Sequence, residues 1–181
     1  MRVVPAQIVL LRGINLGSAN RIAMPELREA LTAAGFDNVR TYVQSGNVVV
    51  SSEDPPDKVA ARCKGVIAER FGLDIDVVVR TRDELAEIVR RNPLGKAADD
   101  PKRYQVSFLE DEPEGALADR LAAVAADEER VVVEGREIYA WHPAGVARSK
   151  LWAALANRKL GVTATARNWT TVTKLLELAD D

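Results

Sequence analysis

The residues best suited to chemistry cluster near the C-terminus. From Ile138 to Leu176 the chain contains no Asp and no Glu, yet it carries Arg148, Lys150, Arg158, Lys159, Arg167, Lys174 and the one histidine, His142. Cations without local carboxylates suit a phosphate or carboxylate group, which Arg grips with paired charge-assisted hydrogen bonds. A second acid-free set lies near the N-terminus. Arg12-Gly13-Ile14-Asn15-Leu16-Gly17-Ser18-Ala19-Asn20 and Gln44-Ser45-Gly46-Asn47 are rich in Gly and Asn. Such turns can aim backbone N–H groups at an anion. They also form for conformational reasons alone, because Gly and Asn tolerate positive φ.

Sharper chemistries are disfavoured. Gly13 and Gly17 are not followed by the Lys-Ser/Thr of a phosphate-binding loop. One Cys and one His cannot make a Cys/His zinc site. Cys63 lies on an apolar helical stripe with Val59, Val66 and Ile67, so it reads as a small core residue. Ser149 and Lys150 are adjacent, so on a helix they do not face each other as a nucleophile and its base. No catalytic residue and no cofactor is indicated. Only His142 offers a proton-transfer group near the C-terminal cations.

Composition sets the frame. At 47% hydrophobic and 29% charged residues over 181 positions, the chain reads as globular, with one large or two small domains. A net charge of −2 gives no global field for nucleic acid or membrane. The charge is uneven, however: residues 110–137 hold ten acids against three arginines, immediately before the acid-free block. A single cysteine makes no disulfide framework, no apolar run is long enough to span a membrane, and no signal-peptide pattern opens the chain. A cytoplasmic protein is expected.

Periodicity supplies the elements. Strands are expected at Gln7–Leu11, Val39–Val43, Val48–Val50 and Ile75–Val79, with helices starting near Pro25 and at Asp57–Phe71. Gly35 and Gly72 stand where left-handed caps would end those helices. Thr81-Arg82-Asp83-Glu84 has capping-box spacing for a trailing helix. The order β-α-β-β-α-β is the split βαβ pattern of a ferredoxin-like domain. It repeats: strands at Tyr104–Leu109, Val131–Val133, Ile138–Trp141 and Val162–Ala166; helices at Glu114–Ala126, Lys150–Asn157 and Asn168–Leu178. The expected fold class is α/β of α+β type: tandem ferredoxin-like halves at residues 1–92 and 103–181, each followed by a trailing helix. Residues 93–102, with Pro, Gly and mixed charge, read as the linker.

The motifs LLRGINLG, YVQSGNVVV, SKL and TARNWTTVTKL, in this order over nearly the whole chain, resemble the bacterial domain-of-unknown-function family 1697. The resemblance implies two ferredoxin-like α/β halves and no established reaction. Family members often read NWNTV where this chain has Asn168-Trp169-Thr170-Thr171-Val172, so a side-chain amide at position 170 is missing here.

A ferredoxin-like sheet runs in the order 4-1-3-2, which decides what meets. In the first half, the loop after strand one should lie beside the turn after strand two, about 10 Å away by strand spacing. That would join Arg12, Asn15 and Asn20 to Gln44 and Asn47. In the second half, the ends of strands three and four should bring His142, Arg148 and Lys150 towards Arg167 and Asn168. The plainer alternative is a solvated basic surface with Asn168 as a helix cap. The same topology hosts RNA-recognition domains, which stack bases on sheet aromatics. Here Tyr104, Phe108, Tyr139 and Trp141 are expected to be core beneath the helices, with Gln105 and Ser107 more exposed. The expected function is binding of an anionic, phosphate-bearing ligand such as a nucleotide or nucleic acid. The alternatives are an enzyme acting on a phosphorylated or carboxylated small molecule, and a non-catalytic structural or interaction protein.

Overall fold

A computed structural model describes residues 2–181. The chain divides into two compact units: residues up to Glu87 together with Lys174–Asp181, and Ile88–Thr173.

In the first unit the order is β1 (Ala6–Leu11), α1 (Met24–Ala33), β2 (Asp37–Tyr42), β3 (Asn47–Ser51), α2 (Pro56–Phe71) and β4 (Val77–Thr81). Its sheet is ordered β2-β3-β1-β4 and every pairing is antiparallel. Alternation along the strands sends Val9, Leu11, Val48, Val50 and Val79 to one face, where Leu27 and Leu31 of α1 and Val59, Cys63 and Ile67 of α2 cover them. Each fully buried aliphatic side chain contributes roughly 1.5–3 kcal/mol. Helix α1 starts with Pro25 in its first turn, where a missing N–H costs nothing. Helix α2 ends at Gly72, whose φ of 67° few other residues adopt cheaply. Burial pushes the Cys63 thiol up to about 12, so it stays protonated and inert.

Helix α3 (Arg82–Arg91) follows β4. Its capping box forms: the Glu84 N–H donates to Thr81 Oγ1 at 3.0 Å, and the Thr81 N–H donates to the Glu84 carboxylate at 3.2 Å.

The second unit repeats the order with β5 (Tyr104–Leu109), α4 (Leu117–Val124), β6 (Arg130–Glu134), β7 (Glu137–Trp141), α5 (Lys150–Ala156), a 3-10 turn at Arg158–Leu160 and β8 (Ala164–Asn168), followed by α6 (Trp169–Asp180). The sheet order, β6-β7-β5-β8, is the same. The architecture is therefore two ferredoxin-like βαββαβ halves, each ending in a helix. No helix among the described residues is long and apolar enough to cross a membrane.

Both faces of the second sheet are covered. Leu109, Ile138 and Ala140 pack with Leu117, Leu121, Leu151 and Leu155. Ser107 pairs with Ile138 and shares that face, so it is only 1% exposed. The expectation of a more exposed Ser107 fails because the strand has no solvent side. The aromatics are core, as expected, but on the opposite face from Ile138 and Ala140. The Tyr104 ring stacks on Trp169 of α6 at 4.8 Å, and the Tyr139 hydroxyl donates to the Ile88 carbonyl at 2.9 Å. Burial raises both phenols, Tyr104 to about 12.

Candidate functional site

Strand register builds the first corner. Leu10 pairs with Asn47, so the end of β1 and the start of β3 coincide. One step further, the Leu11 N–H donates to the Gly46 carbonyl at 2.9 Å. A Cβ on Gly46 would stand 2.7 Å from Leu11 Cβ, and its φ is 84°, so glycine alone fits. Asn15 is the brace between the two loops. Its Nδ2 donates to the carbonyls of Ile22 at 2.8 Å and Gln44 at 2.7 Å, while its Oδ1 accepts the Ile22 N–H at 2.8 Å. Residues 15–20 form a small hairpin: the Asn15 N–H reaches the Asn20 carbonyl at 3.0 Å and Leu16 bridges Ala19.

The loops thus meet as the topology requires, and the five residues expected there divide by role. Asn15 and Asn47 are internal braces; Asn47 is fully buried, with Nδ2 on the Tyr42 carbonyl at 3.1 Å and Ser45 Oγ at 2.8 Å. Asn20 is exposed but donates to the Gly13 carbonyl at 3.2 Å. Gln44 is exposed. Arg12 is mostly covered, and its Nη1 lies 3.9 Å from the Asp76 carboxylate. Three further residues belong to this surface. Arg21 is exposed and clamps the Gly17 carbonyl at 2.9 Å. Leu16 is 71% and Val43 51% exposed, and Val43 has a φ of 51°.

The second corner differs from expectation. His142 is completely buried. Its Nδ1 lies 2.6 Å from the Glu129 carboxylate, and the same oxygen accepts the Ser149 hydroxyl at 2.6 Å. Ser149 also caps α5, accepting the Trp152 N–H at 3.0 Å. Burial works to raise the Glu129 carboxyl, but hydrogen bonds from Ser149, the Ala126 N–H and His142 outweigh it and hold it below the usual range. So the acid-free stretch does receive a carboxylate, folded back from the preceding segment. Hairpin register explains this. Arg130 pairs with Trp141, and continuing by one residue sets Glu129 opposite His142.

The remaining residues of that corner do not converge on one exposed surface. Arg148 and Lys150 are exposed. Arg167 is buried; its Nη1 donates to Thr165 Oγ1 at 2.7 Å and the Ala166 carbonyl at 2.8 Å, and burial lowers its pKa to about 10. Asn168 caps α6, with Oδ1 accepting the Thr171 N–H at 3.0 Å. Arg148 instead lines a pocket of about 490 Å³ with Asp127, Glu128, Glu129, Pro143 and Ser149, where carboxylates outnumber the cation. Among the described residues no group of three or more His, Cys, Asp or Glu is placed to hold a metal ion.

A family model described as "Protein of unknown function (DUF1697)" matches residues 4–139. The chain belongs to this family. The match includes both loops of the first corner and Glu129, and it ends before His142 and Ser149. A solved structure of a conserved bacterial protein from Streptococcus pneumoniae aligns over 97% of this chain and 98% of that one, with a TM-score of 0.72 and 22% identity. That likeness supports the two-part fold of this DUF1697 member. No curated protein matches the chain.

Proposed function

We propose that this DUF1697 protein is a binding module for an anionic, phosphate-bearing ligand such as a nucleotide or nucleic acid, and that the corner formed by Arg12–Asn20 and Gln44–Asn47 recognises it. The observation that supports this is the locking of the two loops through Asn15 and Gly46, which leaves their outer rim exposed. Locked loops lose little entropy when a ligand arrives. Residues 1–25 and 38–52 contain no Asp or Glu, so the cations that these loops supply are Arg12 and Arg21. The Asp76 carboxylate lies 3.9 Å from Arg12 and 3.7 Å from Lys64.

Binding is favoured over catalysis by the state of His142. Its ring has no exposed surface and its Nδ1 is engaged by Glu129, so it is poorly placed to exchange protons with a substrate. The test is calorimetric titration of the full chain with inorganic pyrophosphate, nucleotides and a short oligonucleotide at low and high salt. Wild type should bind with salt-sensitive affinity, and Arg12→Ala/Arg21→Ala should bind about tenfold or more weakly. Failure of wild type to bind any of these ligands, or equal binding by the variant, would remove the reading.

A further inference from the structure

Two side chains at this corner have no place in a site for phosphate alone. Leu16 and Val43 are among the few large apolar residues left substantially exposed, at 71% and 51%. Each sits one residue from an end of the Asn15–Gln44 hydrogen bond, Leu16 just after Asn15 and Val43 just before Gln44. Both exposed aliphatic residues therefore stand beside this brace, on the loops and the segment just after them that also carry the exposed Arg21, Ser18 and Gln44.

Resting on the anion-binding reading, we propose that the ligand is single-stranded nucleic acid. Leu16 and Val43 pack against unstacked bases, Arg12 and Arg21 meet the backbone phosphates, and Gln44 and Ser18 hydrogen-bond base edges. The choice of ligand follows from what the rim contains. An aliphatic surface beside a cation calls for a ligand whose anion is attached to an apolar face, and every base has one. The exposed polar groups are mostly amide and hydroxyl, which match the neutral donors and acceptors of base edges; a strongly acidic peptide would call for more cations. Duplex binding draws its affinity from neutralising many phosphates, and two arginines neutralise few. The sheet surface that RNA-recognition domains use is closed, since Ile8, Leu10 and Val49 are all 0% exposed. Bases must therefore be met on the loops.

The experiment is fluorescence anisotropy with a labelled single-stranded oligonucleotide, the matching duplex and a polyglutamate competitor, beside pyrophosphate calorimetry, on wild type and Leu16→Ala/Val43→Ala. Both changes are at exposed positions, and a circular-dichroism melt verifies folding. Wild type should prefer the single strand to the duplex, and the variant should bind the single strand about tenfold more weakly while its pyrophosphate affinity is unchanged. Equal affinity for duplex and single strand, or an unchanged variant, would overturn the proposal. So would displacement of the oligonucleotide by polyglutamate at matched charge, which would point to an acidic protein partner. Pyrophosphate binding without tighter oligonucleotide binding would sink the single-strand assignment and leave the anion reading standing. Binding of none of these ligands would end both.

Discussion

The two corners begin from the same kind of sequence and end in different states. Arg12–Asn20 and Gln44–Asn47 carry no acid and keep an exposed rim at Leu16–Asn20 and Gln44, while Arg12 is mostly covered beside Asp76 and Asn47 is buried. Ile138–Leu176 also carries no acid, yet Glu129 reaches into it and ties His142 to Ser149. The difference lies in the neighbouring strand. In the first unit β3 begins with a tight turn around Gly46, and the carboxylate that approaches Arg12 is Asp76, just before β4. In the second unit β7 is zipped to β6, whose approach is Asp127-Glu128-Glu129. Local charge in a fold is set by the register of the pairing strand as much as by the segment itself.

The largest test of this contrast removes the feature that closes the first corner. Gly46→Ala places a Cβ 2.7 Å from Leu11 Cβ at a φ of 84°. Left-handed strain plus displacement of a packed side chain should lower stability by about 3 kcal/mol. Urea denaturation followed by circular dichroism would show it. A loss below about 1 kcal/mol would mean that the two loops are less rigidly joined than their contacts imply.

The corresponding change in the second unit is Glu129→Ala. It leaves a buried His142 N–H and the Ser149 hydroxyl without their acceptor, and should cost about 2–3 kcal/mol. It also has a pH signature. The folded carboxyl is held below its unfolded value, so the unfolded chain takes up protons first as pH falls. The stabilisation is therefore complete above the ordinary carboxylate range and is lost as the pH falls through it to the folded value. Urea midpoints measured across acidic pH should fall less steeply in Glu129→Ala than in wild type. Parallel curves would show that Glu129 does not drive this slope.

Much of the fold was legible because local signals agreed with it. Thr81 and Glu84 form the capping box that their spacing implied, and Gly72 ends α2 in the left-handed conformation. The fourth strands are instructive failures. Val77–Thr81 and Ala164–Asn168 both run two residues later than Ile75–Val79 and Val162–Ala166, the expected spans. Each includes an arginine beyond the expected span, and folding covers both: Arg80 is 1% and Arg167 8% exposed. Burial of a charge depends on tertiary surroundings that periodicity does not encode. The Glu129–His142 pairing was within reach, since the Glu134-Gly135-Arg136 turn fixes the hairpin register that sets the two residues opposite. The conformation of Val43 was not, because a β-branched residue in that position argues for continued strand.

That valine gives the smallest and most discriminating test. With φ at 51°, Val43 occupies a region that L-residues enter at a cost of about 1–2 kcal/mol, and β-branching adds crowding. Half of its surface is exposed, so little burial energy offsets the strain. Asn visits the same region readily, because its short polar side chain can hydrogen-bond locally. Val43→Asn should therefore raise stability by about 1 kcal/mol, read as a higher urea midpoint with an unchanged slope. A strained, exposed, apolar residue that a simple substitution improves is hard to explain by folding alone. If the same variant binds the single-stranded oligonucleotide more weakly, the valine is retained at the expense of stability for its contact with a ligand. A variant less stable than wild type would show instead that Val43 packs usefully at the corner, and its exposure would then carry no functional weight.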